Sequence, residues 1–228
     1  MKKFKIRASA TSQILGMPRA KKDIEAGKIS KTAETYCKNW LKEQLYSRKK
    51  DFSNKYTQKG EIMEDAGIDF LAEYLDFGIL VKNEKYFENE IATGTPDIIL
   101  KNLIIDVKNS WSWETFPLFE TEVPTKDYYY QLQSYMMLTG KENAKLIYTL
   151  TDTPLHLIEK EAYYFAKQNG YDYTDIIDDF IKKMTYSDVS DNLKIKVFDI
   201  KKDPYFEENL LKQVNKCRNF LQLITAII

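Results

Sequence analysis

The stretch Pro96-Asp97-Ile98-Ile99-Leu100-Lys101-Asn102-Leu103-Ile104-Ile105-Asp106-Val107-Lys108-Asn109 decides how this chain is read. Two apolar runs, PDIIL and LIIDVKN, flank Lys101 and Asn102, so the segment 95–109 is predicted to be two strands joined by a tight hinge. The second run is apolar enough to be a central strand buried on both faces. Asp106 and Lys108 interrupt it. With period-two alternation they share one face with Ile104, while Leu103, Ile105 and Val107 face the other way. Burying a carboxylate or an ammonium is costly unless it is paired or bound to an ion, so something must compensate these charges. Pairing of the two strands would bring Asp97 beside Asp106. Two carboxylates at one place repel, and a divalent cation relieves the repulsion. Hard oxygen donors with no His or Cys nearby favour Mg²⁺ or Mn²⁺ over zinc.

Outward from the hairpin, residues 54–76 read as a long helix with Ile62, Ala66, Phe70 and Tyr74 along one side. Glu64 lies on a different line, with Ile68, Leu71 and Leu75, whereas Glu61 and Asp65 look solvated. A carboxylate on that apolar side either points into a site on the sheet or lets its head escape to water. Residues 85–92 are expected to form a strand, 126–139 a helix and 144–151 a further strand. Gln131 and Tyr135 share one face of the 126–139 helix and Tyr128 extends the line, a pattern that by itself describes the edge of a packing surface. The order over 54–151 is thus helix, three strands, helix, strand. It implies an α/β fold: an antiparallel meander, then a strand added in parallel after a crossover helix, giving one central mixed β-sheet flanked by helices.

Before this core, residues 9–16 suggest a short helix with Ser9 at its start, and 30–47 a helix capped by Ser30 with Glu34 close behind. After it come helices at 157–169 and 173–184, a strand at 193–200 and a closing helix at 204–226. No repeat, low-complexity tract or linker divides the chain. It is expected to be one domain over 1–228, with its core at 54–151, an N-terminal helical segment at 1–53 and a C-terminal elaboration at 152–228.

Composition excludes several classes. Among 228 residues, 43% are hydrophobic, with 8 Gly, 6 Pro and 2 Cys, which rules out disordered, collagenous and disulfide-stapled chains. Cys37 and Cys217, both in helical stretches, are expected to be free buried thiols in a reducing compartment. No run has the length of a membrane span or the apolar core of a signal peptide, so no membrane partner and a cytoplasmic location are expected. The formal net charge is zero, from 34 basic and 34 acidic residues. Such a balance argues against coating nucleic acid by bulk charge but leaves room for a local basic groove. Candidate cations are Lys2, Lys3, Lys5 and Arg7, and a second cluster of Arg48, Lys49, Lys50, Lys55 and Lys59. Asp172, Asp175, Asp178 and Asp179 lack the glycine of a calcium loop and read as a solvated helix face. His156, beside a helix start, reads as structural. Trp111 and Trp113 read first as packing under the loop after the hairpin, and second as platforms for bases.

At Pro96-Asp97, Asp106-Val107-Lys108, Gly60 to Glu64 (GEIME) and Gln131 to Tyr135 (QLQSY), the sequence resembles the PD-(D/E)XK nuclease superfamily. Within it the chain looks most like the phage lambda exonuclease and RecB-like (YqaJ-type) branch. The match spans roughly residues 54–151, and Asp106 stands where many relatives carry Glu. The resemblance implies a restriction-endonuclease-like core of order αβββαβ with added terminal helices. It makes Asp97 and Asp106 metal ligands, with the Val107 carbonyl completing the shell and Glu64 binding or orienting a second ion or its water. Lys108 would position or activate the attacking water. Gln131 and Tyr135 would orient the site or contact the DNA backbone. Arg7-Ala8-Ser9 and Thr95 resemble the element that recognises a terminal 5′-phosphate. On their own residues, Ser9 reads equally as a helix cap and Arg7 as a surface cation.

The function implied is a Mg²⁺-dependent (or Mn²⁺-dependent) exonuclease using one or two ions. It would hydrolyse linear double-stranded DNA, 5′ to 3′, to expose 3′ single strands for phage-type recombination. The same resemblance implies a homotrimer acting at double-stranded DNA ends with a single-strand annealing recombination protein, in a bacterial or phage-infected cell. A structure- or sequence-specific endonuclease, which needs no end, and a catalytically idle DNA-binding or assembly module are the alternatives.

Overall fold

Two separate β-sheets share the strands in a computed structural model that describes residues 2–49 and 54–227. Lys50, one of the cations noted above, lies outside the described residues. In chain order the elements are β1 (Ile6–Arg7), α1 (Ser12–Leu15), α2 (Lys21–Glu25), α3 (Lys31–Tyr46) and α4 (Lys55–Tyr74). Four strands follow: β2 (Phe87–Glu88), β3 (Ala92–Gly94), β4 (Ile98–Ile99) and β5 (Ile104–Asn109). Then come α5 (Lys126–Thr139), β6 (Asn143–Thr149), α6 (Leu155–Asn169), α7 (Tyr173–Met184), β7 (Ile195–Lys201) and α8 (Phe206–Thr225).

The larger sheet has the order β4-β5-β6-β7, with β5 and β6 parallel and both outer pairs antiparallel. Its faces follow the alternation of β5. Ile104 packs with Leu132, Tyr135 and Met136 of α5, while Ile105 and Val107 pack with Ile68 and Leu71 of α4. Each of these two helices therefore covers one face of the strand. The ends of the helices carry ordinary stop and start chemistry. The Asn54 side chain accepts from the amides of Tyr56 and Thr57 at the head of α4, and Gly140 supplies the left-handed residue that ends α5.

The smaller sheet corrects the expected single meander. The predicted strand at 85–92 is broken into β2 and β3, which join β1 in the order β1-β3-β2, with β1 parallel to β3. A separate apolar cluster supports it, drawn from Ile6, Ile14, Cys37, Ile91, Leu210 and Cys217 among others. Three of its members, Tyr130, Met137 and Leu138, reach over from α5. The helix α5 thus packs on both sheets. Cys37 and Cys217 are free, buried and in contact across α3 and α8. The Arg218 guanidinium ties the ends of this layer together by donating to the carbonyls of Phe4 and Glu90.

Three local readings change. Ser9 sits in a 3-10 turn over Ala8–Ala10 rather than at a helix start, and α1 begins after Thr11. On α4 the side bearing Ile62, Ala66 and Tyr74 is exposed, because the sheet takes the side of Gly67, Ile68 and Leu71. Lys59 is fully buried: its ammonium donates to the carbonyls of Trp111 and Thr151 at 3.1 and 2.8 Å, so it is no part of a surface basic patch. Burial lowers its pKa to about 8. Three of the remaining cations are ion-paired, Lys55 on Glu161, Lys3 on Glu90 and Lys5 on Glu88. The four aspartates at 172–179 are exposed, and Asp172 caps α7 through Thr174. Among the described residues, no helix is long and apolar enough to cross a membrane.

Candidate active site

The antiparallel register of β4 and β5 pairs Ile98 with Ile105, so one residue further out Asp97 comes opposite Asp106. The two acids are held differently. Asp97 Oδ2 accepts the backbone amide of Val107 at 2.9 Å. Asp106 is completely buried; its Oδ1 accepts from Gln131 Nε2 at 3.3 Å, and its Oδ2 lies 2.7 Å from the Lys108 ammonium. That ion pair is close but poorly directed, leaving Asp106 Oδ2 without an aligned hydrogen-bond donor among the described residues. Burial, then the neighbouring Asp106 charge, raise the pKa of Asp97, and Glu64 adds to the shift against Lys108 and the Val107 amide. On Lys108, burial works against the charged form, but the carboxylates of Asp106 and Asp97 outweigh it and keep the side chain an ammonium.

A cleft of about 570 Å³ opens above this pair, and Glu64, Asp97, Val107 and Lys108 line it together with Tyr56 and Trp111. Glu64 enters from α4, where its Oε2 accepts from Lys82 at 2.8 Å. It is therefore at the cleft but held on a lysine instead of turned onto the aspartates. Among the described residues, no group of three or more His, Cys, Asp or Glu side chains is gathered tightly enough to hold a metal as they stand. The donor chemistry nevertheless suits a hard divalent cation. Asp97 and Asp106 are both oxygen donors, burial and then the Asp106 charge push Asp97 towards its neutral form, and among the described residues one buried carboxylate oxygen lacks a directed partner.

Gln131 and Tyr135 are buried behind Asp106, where the Gln131 amide donates both to the acid and, at 2.9 Å, to the Tyr135 hydroxyl. Burial and then the Asp106 charge raise the Tyr135 pKa, so the phenol stays neutral. Arg7 and Ser9 do not line the main cleft. They border a separate polar hollow with Gln13, Lys31, Tyr36 and Asn39, and Arg7 hydrogen-bonds Tyr36. Thr95 is exposed between β3 and Asp97. Trp111 is in edge contact with Tyr56, ring centres 5.7 Å apart, and the Lys55 ammonium lies 5.1 Å from its ring centre. Trp113 is largely exposed, and its amide donates to the Tyr186 hydroxyl. His156 is exposed at the head of α6.

One participant was not visible in the sequence. Asn109, at the end of β5, donates to the Met63 carbonyl of α4 at 3.1 Å and accepts from Thr149 Oγ1 at 2.6 Å. An asparagine at a strand end reads as a turn residue, and neither partner lies near it in the chain.

This architecture is that of solved exonucleases. The chain is similar over its whole length to a phage related exonuclease from Haemophilus somnus 129PT, with TM-score 0.79 and 28% identity, covering 100% of this chain and 98% of that one. It shares its fold with LHK-Exo, an alkaline exonuclease from Laribacter hongkongensis, at TM-score 0.63 and 15% identity, covering 96% of this chain and 88% of that one. The form of LHK-Exo in complex with dAMP matches equally well. No protein-family model matches the chain, and no curated protein does.

Proposed function

We propose that this chain is a Mg²⁺-dependent exonuclease of the PD-(D/E)XK type. On this reading it hydrolyses phosphodiester bonds of linear double-stranded DNA from the 5′ end and leaves 3′ single strands. The observation that carries the reading is Asp97 and Lys108 at the floor of an open cleft, with the buried Asp106 paired to Lys108 beneath it and Glu64 at the wall. Full-length similarity to a phage related exonuclease supports it.

Asp97, Asp106 and the Val107 carbonyl would hold the ion, with Glu64 available to a second. Mg²⁺, once bound, supplies Lewis-acid stabilisation of the negative charge that grows on the scissile phosphate. The chain's own residues do the rest. Lys108, kept charged by the two acids, places a cation and a hydrogen-bond donor where the attacking water and the phosphate oxygens must meet. Gln131 fixes the rotamer of Asp106, and Tyr135 in turn braces Gln131. Arg7, Ser9 and Thr95 would receive the terminal 5′-phosphate. A homo-oligomer, and a single-strand annealing protein that takes over the exposed strand, complete the proposed setting.

The test follows product length over time on linear 5′-phosphorylated duplex and on covalently closed circles, with Mg²⁺ or EDTA, for wild type and Lys108→Ala. Shortening of the linear substrate alone, dependent on Mg²⁺ and lost in the variant, is the expected result. Cutting of the circle would make the protein an endonuclease. Absence of any cleavage by wild type with Mg²⁺ or Mn²⁺ would overturn the enzymatic reading.

A further inference from the structure

We propose that Asn109, through a slot left open by Gly67, is a positioning residue that sets where Glu64 stands at the cleft. The inference rests on the assignment of Glu64 to the metal-binding group made above.

Alternation along β5 sends Asp106 and Lys108 towards α5 and Asn109 towards α4, as its bond to Met63 requires. The Met63 carbonyl is already the natural acceptor for the amide four residues on, that of Gly67, within α4. A carbonyl oxygen has a second lone pair, and Asn109 Nδ2 takes it. Gly67 makes the approach possible. A Cβ at that position would lie 2.6 Å from Asn109 Oδ1, 3.1 Å from its Nδ2 and 3.2 Å from Thr149 Oγ1. No other residue type leaves the Met63 carbonyl accessible from the sheet without displacing the amide.

The amide is also fixed from its other end. Its Oδ1 accepts from Thr149 Oγ1 at 2.6 Å and from Thr151 Oγ1 at 3.4 Å, and a flip would turn that oxygen against the Met63 carbonyl oxygen, which can only accept. The helix is thereby pinned to β5 and β6 at the residue immediately preceding Glu64. Apolar contacts alone, from Ile68 and Leu71, tolerate sliding and rotation, whereas a hydrogen bond to a single carbonyl does not. A slip of one residue along a helix moves a side chain by about 1.5 Å and turns it by about 100°. Among the described residues Glu64 has only Lys82 as an ion-pair partner, and that lysine is 43% exposed. Its place relative to Asp97 therefore depends on the backbone of α4.

Calorimetric titration with Mn²⁺, in the absence of DNA, tests this on the full chain. Asn109→Ala is expected to weaken binding about tenfold, the lower end of what loss of an outer-sphere partner costs a metal site. Thr149→Val, a milder change that keeps the strand shape, is expected to weaken it in the same direction by a smaller factor and serves if Asn109→Ala fails to fold. In a Glu64→Ala background both substitutions are expected to cost nothing further, a coupling that a general loosening of the fold would not produce. Equal losses in the two backgrounds, or an unchanged isotherm in both variants, would overturn the proposal while leaving Mn²⁺ binding by the wild type intact. If the wild type binds no Mn²⁺, or if Glu64→Ala binds it as wild type does, the assignment of Glu64 fails and the proposal falls with it.

Discussion

Gly94 and Tyr135 are packed so closely that a Cβ on the glycine would stand 2.7 Å from Tyr135 Cε1 and 3.0 Å from Ala8 Cβ. The ring lies against bare backbone, and this lets its hydroxyl reach Gln131, and Gln131 reach Asp106. Gly94→Ala is expected to destabilise the protein by about 1–3 kcal/mol through overpacking and to lower nuclease activity by displacing the ring. Thermal or urea unfolding checks this together with the double variant Gly94→Ala/Tyr135→Ala, in which the clash with the ring is gone, the tight contact with Ala8 remains, and the two costs should sum to less than their total measured singly. Additive costs would mean that the ring and the glycine do not constrain each other.

Lys108→Ala is expected to behave differently with and without a divalent ion. The completely buried Asp106 loses its ion-pair partner in the variant. Removing one partner of such a pair costs about 3–5 kcal/mol. In EDTA the unfolding temperature should drop accordingly, and Mg²⁺ should recover more of it in the variant than it adds to wild type. An equal Mg²⁺ increment in both proteins would argue that the ion does not bind at Asp106.

Lys59 predicts a pH dependence of stability. Its pKa is lowered from 10.5 in the free side chain to about 8 by burial. Below pH 8 the ammonium is charged in both folded and unfolded chains, and folding carries the whole burial cost. Between pH 8 and 10.5 the folded protein gives up the proton while the unfolded chain keeps it, so stability relative to Lys59→Met should rise with pH across that window. The full effect is about 3 kcal/mol. Urea unfolding of both proteins at pH 7 and pH 10.5 measures it, and a difference independent of pH would show that Lys59 titrates as a free lysine.

The polar hollow beside Arg7 and Ser9 leads to a substrate prediction. If it receives a terminal phosphate, linear duplex with 5′-phosphate should be degraded faster than the same duplex with 5′-hydroxyl. Arg7→Ala should abolish most of that preference. A charge-assisted hydrogen bond of about 1.5–3 kcal/mol corresponds to a loss of about tenfold or more. A preference that survives in the variant would place phosphate recognition elsewhere.

Much of the site could be read directly from the hairpin at 96–109. The strand buried on both faces leaves charged residues conspicuous, and the alternation that separates Ile104, Asp106 and Lys108 from Ile105 and Val107 is a property of any strand. Helices α5 and α7 were legible to the residue because their caps, Thr125, Gly140 and Asp172, act locally. Several of the features that escaped depend on distant partners. β1 is two residues long and acquires its meaning only by pairing with β3, so nothing near Ile6 announces a strand. Lys59 resembles any surface cation until the carbonyls of Trp111 and Thr151 arrive beside it. Tolerance of a buried lysine is a property of the assembled packing.

The division of the strands between two sheets has a consequence for how the protein matures. Asp97 lies between β3 and β4, at the seam where one sheet hands the chain to the other, while Asp106 belongs wholly to the larger sheet. Within the larger sheet, β4 and β5 pair across a short hairpin, Ile98 with Ile105. The smaller one needs Phe4 and Glu90 to meet Arg218, contacts spanning 214 and 128 residues. Contacts of such long range are the slow ones in folding. The hollow beside Arg7 and Ser9, which is built on β1, is therefore expected to form late in refolding, after the pairing of Asp97 with Asp106 that one local hairpin of the larger sheet completes.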